Sequence, residues 1–97
     1  MLIPEDTRWT EESMAAALAA RREDAEILGV YDITNKTNAA IECRRLGEAI
    51  QFVANAPILG YDVRGAMVMY GEPGTPSLRV RDCERLWARF GDALLRQ

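Results

Sequence analysis

YDVRGAMVMY, at residues 61–70, is the stretch of sequence on which the predicted fold depends. Its odd positions are mostly apolar, which is the pattern of a strand with one buried face. Its even positions begin polar at Asp62 and Arg64 but become apolar at residues 66, 68 and 70. Because successive side chains point to opposite faces of a strand, this segment has apolar side chains to bury on both faces of its sheet.

Two shorter segments predict the strands that accompany it. The sequence ILGVYDI at residues 27–33 is rich in β-branched and aromatic residues, and the turn-forming sequence TNKTN follows it at 34–38. After a connection rich in glycine and proline at 71–76, residues 78–81 alternate between apolar and basic side chains. We therefore expect a first strand at 27–33 and a hairpin between 61–70 and 78–81.

Three helices are predicted around these strands. Thr10, followed by two glutamates, is the predicted cap of a helix that we expect over residues 11–22 with mostly small apolar side chains. A second helix should end before Pro57, since proline disfavours helical geometry at the residue preceding it. Its apolar face is predicted to be Ala39, Cys43, Leu46, Ile50 and Val53. Asp82 is the predicted cap of a last helix, whose apolar face is Cys83, Leu86, Trp87, Phe90 and Leu94.

The order α-β-α-β-β-α indicates one domain, residues 1–97, of the α/β (α+β) class with a small single sheet of about three strands. This order is similar to the split βαβ plan of ferredoxin-like domains. In that plan the third strand lies between the first and the second, so the outer edge of the first strand is unpaired and open to a partner. The similarity is architectural and implies no function.

Composition and charge disfavour several function classes. The chain has 12 basic and 15 acidic residues, a net charge of −3, so it has no overall attraction to nucleic acid or to an anionic membrane. No segment has enough consecutive apolar residues to span a membrane, and no secretion signal is recognisable, which predicts a cytoplasmic protein.

Catalytic residue types are scarce. The chain contains no histidine, and its two cysteines, Cys43 and Cys83, form no metal-binding pair. In a reducing compartment both thiols are expected to be buried rather than joined in a disulfide. We therefore expect a protein that is not an enzyme and that has no metal or cofactor.

The candidate binding residues lie around the second face of the predicted sheet. Arg64, Arg79 and Arg81 are expected to share it, either as a cluster that grips carboxylates or phosphates or as solvated positions balanced by nearby acids. The apolar part of this face is Leu28, Val30, Ala66, Val68 and Tyr70. Either the first helix, anchored by Trp9, covers it, or it is an interface for a second copy or another protein. Tyr70 alone provides too little aromatic surface for RNA stacking.

The leading hypothesis is a non-enzymatic interaction module that binds a larger protein or protein complex. Its predicted partner-binding residues are Arg64, Arg79, Arg81, Tyr70, Val68 and Trp9. One form of this hypothesis, based on small size and an arginine- and alanine-rich composition, is a phage-type inhibitor of a bacterial defence system, similar to anti-CRISPR proteins. The alternative is a dimeric small-ligand sensor or regulatory domain, with the ligand beside Arg64 or Arg79 where two sheets meet.

Overall fold

Three α-helices and six short strands form the described part of the chain, which is residues 11–41, 45–71 and 77–96 of a computed structural model. Helix α1 is Glu11–Ala19, α2 is Leu46–Leu59 and α3 is Val80–Phe90, and a 3₁₀ helix follows at Gly91–Leu95. The strands are β1 Ala25–Leu28, β2 Tyr31–Asp32, β3 Thr37–Asn38, β4 Tyr61–Asp62, β5 Met67–Tyr70 and β6 Leu78–Arg79. The predicted mixture of helix and sheet is confirmed, and the strands form two sheets instead of one.

Both sheets are antiparallel and three-stranded. In the first sheet β5 lies between β1 and β6, and in the second sheet β2 lies between β3 and β4. The predicted crossover, with the third strand between the first and the second, is wrong, because β1 and β5 are direct antiparallel neighbours. The outer edge of β1 is not fully open either, since Ile27 forms a bridge with Ile41.

A corner in two long paired segments divides the sheet in two. Residues 27–32 and 61–70 pair antiparallel, but the register changes between the pair Leu28 and Met67 and the pair Tyr31 and Asp62. Residues 29–30 therefore lie opposite residues 63–66, and such a bulge bends a strand pair sharply. Gly29 has a φ of +81°, and a Cβ at this position would lie 2.6 Å from the carbonyl oxygen of Gly65. Only glycine fits this corner, and it ends β1 where a continuous strand was predicted.

The turn predicted after residue 33 is the loop of a second hairpin, which was not expected. Residues 37–38 form β3 and pair with β2. The Asp32 carboxylate accepts the backbone N–H of Asn35 at 3.1 Å and its side-chain amide at 2.7 Å. These bonds lower the pKa of Asp32 below its ordinary value, the backbone bond contributing most. The hairpin is thus held by an Asx-type turn.

Helix α2 is shifted toward the C-terminus from its predicted position. Ala39 lies outside it, because its backbone N–H donates to the carbonyl of Val30 at 2.9 Å and continues the extended chain. Cys43 lies outside the described residues. The predicted apolar face of the helix is confirmed for its remaining members, Leu46, Ile50 and Val53, which are buried.

The prediction that α2 ends before Pro57 is wrong. The helix continues to Leu59, and Gly60 ends it with a φ of 90° and a backbone N–H directed at the carbonyls of Ala56 and Pro57. A proline in the last turn removes a single backbone hydrogen bond, whereas glycine adopts the left-handed conformation of a helix end without strain.

The core lies between the first sheet and the helices α2 and α3. Ile27 is paired with Val68, and Val68 with Leu78, so these three side chains share the face that the helices bury. Cys83 and Leu86 are buried as predicted for the last helix, whereas Leu94, expected on the same helix, is buried from the 3₁₀ helix that follows it. Helix α3 begins earlier than predicted, at Val80, and Asp82 in its first turn accepts the backbone N–H of Arg79 at 2.9 Å.

Candidate binding surfaces

The face of the first sheet that points away from the core has a row of exposed apolar side chains, and we call it the outer face. It consists of Glu26, Leu28, Met67, Met69 and Arg79. Leu28, Met67 and Met69 are 41%, 38% and 47% exposed. Leu28, Met67 and Arg79 are neighbours across the three strands, and Glu26 is paired with Met69.

The outer face contains Leu28 and Arg79, as predicted, but on β5 it has Met67 and Met69 where Val68 and Tyr70 were expected. Val68 was expected on the second face but is 1% exposed and belongs to the core. The reason is the irregular backbone of the corner, through which strict alternation does not continue, since Val63 and Val68, an odd and an even position, are both buried. Val68 is the direct partner of Ile27, so the two side chains share the face that the helices bury. Tyr70, also predicted on the second face, is half-buried on the core side. Its pKa is raised mainly by burial and to a smaller extent by the negative charge of Glu23.

The three arginines predicted to cluster lie on different segments. Arg64 is in the corner between β4 and β5, Arg79 is at the end of β6, and Arg81 is in the first turn of α3. Trp9, the predicted anchor of the first helix, lies outside the described residues. Of the three arginines, Arg79 alone lies on the outer face.

Arg64 is bound to a carboxylate and contributes a local ion pair. Its Nη2 lies 2.8 Å from Oδ2 of Asp62, and its side chain is 92% exposed. The side-chain hydrogen bond from Arg64 lowers the pKa of Asp62, and its own pKa is raised for the same reason. An exposed pair of this kind stabilises a fold little.

A second apolar surface lies at the end of α2. Ile58 and Leu59 are exposed there, and Ile33 is close because its backbone N–H donates to the carbonyl of Gly60 at 3.1 Å. Ile58 is 86% exposed, the highest exposure among the large apolar residues described. This surface lies on the second sheet and is separate from the outer face.

An arginine-lined cavity of about 260 Å³ lies beside the start of α2. It is lined by Arg21, Arg22, Arg45, Glu48, Gln51, Leu94, Leu95 and Arg96. Four of the chain's twelve basic residues and one acidic residue thus surround a single concavity. None of the four guanidinium groups is ion-paired with a carboxylate of the described residues.

Hydrogen bonds join the three segments that line this cavity, which are the turn after α1, the start of α2 and the residues at the end of the 3₁₀ helix. Arg21 Nε donates to the carbonyl of Arg96 at 2.9 Å, and Arg21 Nη1 donates to the carbonyl of Leu18 at 2.9 Å. The backbone N–H groups of Leu46 and Gly47 donate to the carbonyls of Glu23 and Arg21 at 2.8 and 2.9 Å. The first turn of α2 is therefore capped by the turn that follows α1.

Sequence reasoning missed this cavity. Its arginines lie at positions 21, 22, 45 and 96, with no motif that links them. Only the fold brings the three segments together.

Other reactive groups do not form a site in the described part of the chain. No group of three or more metal-ligating side chains occurs there. Cys83 is a buried free thiol, and burial raises its pKa to about 12, with smaller contributions from Asp82 and Glu84. Such a thiol is protonated at neutral pH and is a poor nucleophile. None of the helices in residues 11–41, 45–71 and 77–96 combines the length and the apolar character of a membrane span.

Comparison with protein families, curated proteins and solved structures gives no match for this chain.

Proposed function

We propose that this chain is a non-enzymatic interaction module that binds a larger protein through the outer face of its first sheet. The observation that carries the proposal is the exposure of Leu28, Met67 and Met69 on one face of a sheet whose other face is packed by helices. Neighbouring apolar side chains left in water on a sheet are a common feature of protein interfaces.

Binding at this face has a favourable contribution from apolar burial. Full burial of a leucine or methionine stabilises by about 1.5–3 kcal/mol relative to full exposure, so completing the burial of a half-covered side chain contributes about 1 kcal/mol. Methionine side chains are flexible and adapt to irregular surfaces. Met67 also accepts a hydrogen bond from the Ser77 hydroxyl at 3.6 Å, which holds the sulfur near β6.

The size of the apolar row favours a larger partner over a second copy. A stable complex buries roughly 800 Å² on each partner, and three partly covered side chains provide only a fraction of that area. In a symmetrical dimer both halves of the interface would consist of this same small row. A larger protein can surround the row and contact the polar residues around it.

Two charged residues at opposite corners of the outer face give the partner an orientation. Glu26 lies on β1 and Arg79 on β6, and both are exposed. Charges at the rim of an interface contribute more to orientation and association rate than to affinity. The preferred partner surface is therefore apolar at its centre, with a basic group facing Glu26 and an acidic group facing Arg79.

The test uses four versions of the chain as baits in a lysate of the source organism. They are the natural chain, Met67→Lys, Met69→Lys, and Ile58→Lys as the matched control, which makes the same change on the separate apolar surface. A protein retained by the natural chain is then purified, and its affinity for each version is measured by calorimetry. We expect binding to weaken at least tenfold for Met67→Lys and Met69→Lys, as for residues at the centre of an interface, and to stay unchanged for Ile58→Lys.

Three results would overturn the proposal. The first is equal binding by all four versions, and the second is the absence of any retained protein. The third is a dimer of the natural chain in sedimentation that Met67→Lys converts to a monomer, because the outer face would then serve a second copy. Circular dichroism of each variant confirms that a loss of binding is not a loss of folding.

The narrower hypothesis of an inhibitor of a bacterial defence system, similar to anti-CRISPR proteins, is one form of this proposal. The identity of the retained protein decides it, since a defence nuclease or one of its subunits would support the narrower hypothesis and an unrelated protein would contradict it. The alternative of a ligand held beside Arg64 or Arg79 has less support, because Arg64 is bound to Asp62 and Arg79 lies on a different segment.

A further inference from the structure

We propose that the arginine-lined cavity binds a small phosphorylated molecule that also carries a hydroxyl group. The proposal is independent of the protein partner, since the cavity shares no residue with the outer face. It depends on the charge, the hydrogen-bond donors and the size of the cavity.

The charge of the cavity is opposite to that of the chain. The whole chain has a net charge of −3, whereas four arginines and one glutamate line the cavity. Like charges gathered around one concavity repel one another, and a bound dianion removes that repulsion. The walls also lower the effective dielectric constant and concentrate the positive potential inside a cleft. The cavity is consequently a favourable place for an anion.

The hydrogen-bond donors of Arg21 are oriented before any ligand binds. Its guanidinium group has five N–H donors, of which Nε and one on Nη1 are used by the carbonyls of Arg96 and Leu18. Three donors remain, on a side chain that is half-buried and held in place. Because a guanidinium presents paired N–H groups that match phosphate oxygens, these donors suit a phosphate group better than a single spherical anion.

Arg22, Arg45 and Arg96 complete the ring from three different segments. Arg22 follows α1, Arg45 precedes α2, and Arg96 follows the 3₁₀ helix. All three are exposed and have no carboxylate partner among the described residues. They are able to turn toward a phosphate and contact it from several sides.

The size and the remaining lining residues define the rest of the ligand. A volume of about 260 Å³ is just below the roughly 300–1,000 Å³ of pockets for drug-sized molecules, which favours a phosphate ester with only a few carbon atoms. Glu48 repels a bare anion but accepts a hydrogen bond from a hydroxyl group, and the Gln51 amide can donate or accept. Leu94 and Leu95 provide an apolar wall for the carbon skeleton. A continuous nucleic-acid strand has more phosphates than this cavity can hold.

Glycerol 3-phosphate is the probe for the test, with inorganic phosphate and sodium chloride at equal ionic strength as comparisons. Affinity is measured by calorimetry, and thermal unfolding provides an independent readout because a ligand that binds the native state raises the melting temperature. We expect saturable binding of glycerol 3-phosphate, weaker binding of inorganic phosphate, and no saturable effect of sodium chloride.

Arginine variants locate the bound phosphate. Replacing Arg22 or Arg45 by glutamine removes a charge-assisted hydrogen bond, and we expect affinity to fall about tenfold or more. Arg64→Gln is the matched control, because it removes the same charge from an exposed arginine that does not line the cavity. Arg21 is left unchanged because its hydrogen bonds hold the walls together.

A Glu48→Gln variant tests the hydroxyl contact separately. Removal of the negative charge should strengthen the binding of inorganic phosphate and reduce the preference for glycerol 3-phosphate over it. The proposal is overturned if no probe gives saturable binding, or if Arg22→Gln and Arg45→Gln bind as well as Arg64→Gln does. It is also overturned if a short oligonucleotide binds more tightly than glycerol 3-phosphate with the same arginine dependence, because the ligand would then be a nucleic acid.

Discussion

Replacement of Gly47 by alanine should destabilise the fold although it favours helix formation locally. Gly47 lies in the first turn of α2, where the 3₁₀ helix crosses it. A Cβ at this position would lie 1.9 Å from the carbonyl oxygen of Leu94 and 2.8 Å from its carbonyl carbon. Both atoms belong to the backbone, so a side-chain rotation cannot relieve the overlap.

Two opposing contributions decide the magnitude. Alanine in place of a helical glycine stabilises by about 0.5–1 kcal/mol. The Cβ contact must lengthen from 1.9 Å to at least 3.0 Å, which moves the 3₁₀ helix away from α2 by about an ångström. Overpacking of a tightly packed contact costs about 1–3 kcal/mol, so the net loss lies between about 0 and 2.5 kcal/mol, and we expect about 1 kcal/mol. In a domain of this size each kcal/mol corresponds to a melting temperature lower by about 4–8 °C.

Urea unfolding followed by circular dichroism measures this loss. Gly65→Ala is the control, because Gly65 has no heavy atom within 4 Å of an added Cβ and its φ is not in the left-handed region. We expect Gly65→Ala to be as stable as the natural chain or more stable by about 0.4–1 kcal/mol, through reduced freedom of the unfolded chain. A Gly47→Ala variant that unfolds at the same urea concentration as Gly65→Ala would refute the close crossing of the two helices.

Three further predictions concern titratable groups. In a Cys43→Ser background, Cys83 should not react with a thiol reagent at pH 8 until the protein is unfolded; reaction at the rate of a free thiol would contradict its burial. Burial raises the pKa of Cys83 from its ordinary value of 9.0 to about 12. The buried neutral thiol therefore contributes fully to the free energy of unfolding below pH 9, and this contribution is lost as the pH rises toward 12. Between pH 9 and 12 a Cys83→Ala variant should consequently lose less stability than the natural chain does. Arg64→Gln should raise the pKa of Asp62 toward its ordinary value, as followed by NMR titration of the carboxyl group, and leave the melting temperature nearly unchanged. The backbone N–H of residue 64 still lowers this pKa in the variant, so a pKa as low as in the natural chain would show that the Arg64 side chain does not contribute.

The helices were predictable from sequence because their patterns depend on local spacing. Leu46, Ile50 and Val53 recur at helical intervals, and the structure buries all three. The beginning of α2 was not predictable in the same way, since Ala39 fits the same spacing but is bonded to Val30 in an extended segment. A long-range backbone contact overrides a short-range pattern there.

The sheet was only partly predictable, because its geometry depends on a corner. Residues 27–33 and 61–70 contain paired strands, as expected, but the bulge at Gly29 and residues 63–66 divides them between two sheets. The two extra residues keep the parity of the pairing, but the irregular backbone of residues 63–66 breaks the alternation between β4 and β5. Val63 and Val68 are therefore both buried and Met67 lies in the exposed row, whereas alternation predicted the reverse for positions 67 and 68.

The walls of the arginine-lined cavity come from opposite ends of the described chain, and this separation has a consequence for folding. Arg21 and Arg96, which share a hydrogen bond, are 75 positions apart. Contacts between such distant residues carry a large loop-closure entropy and form after local structure. The cavity is thus complete only in chains that have finished folding, and removal of residues 91–96 would take away one of its walls together with the buried side chain of Leu94.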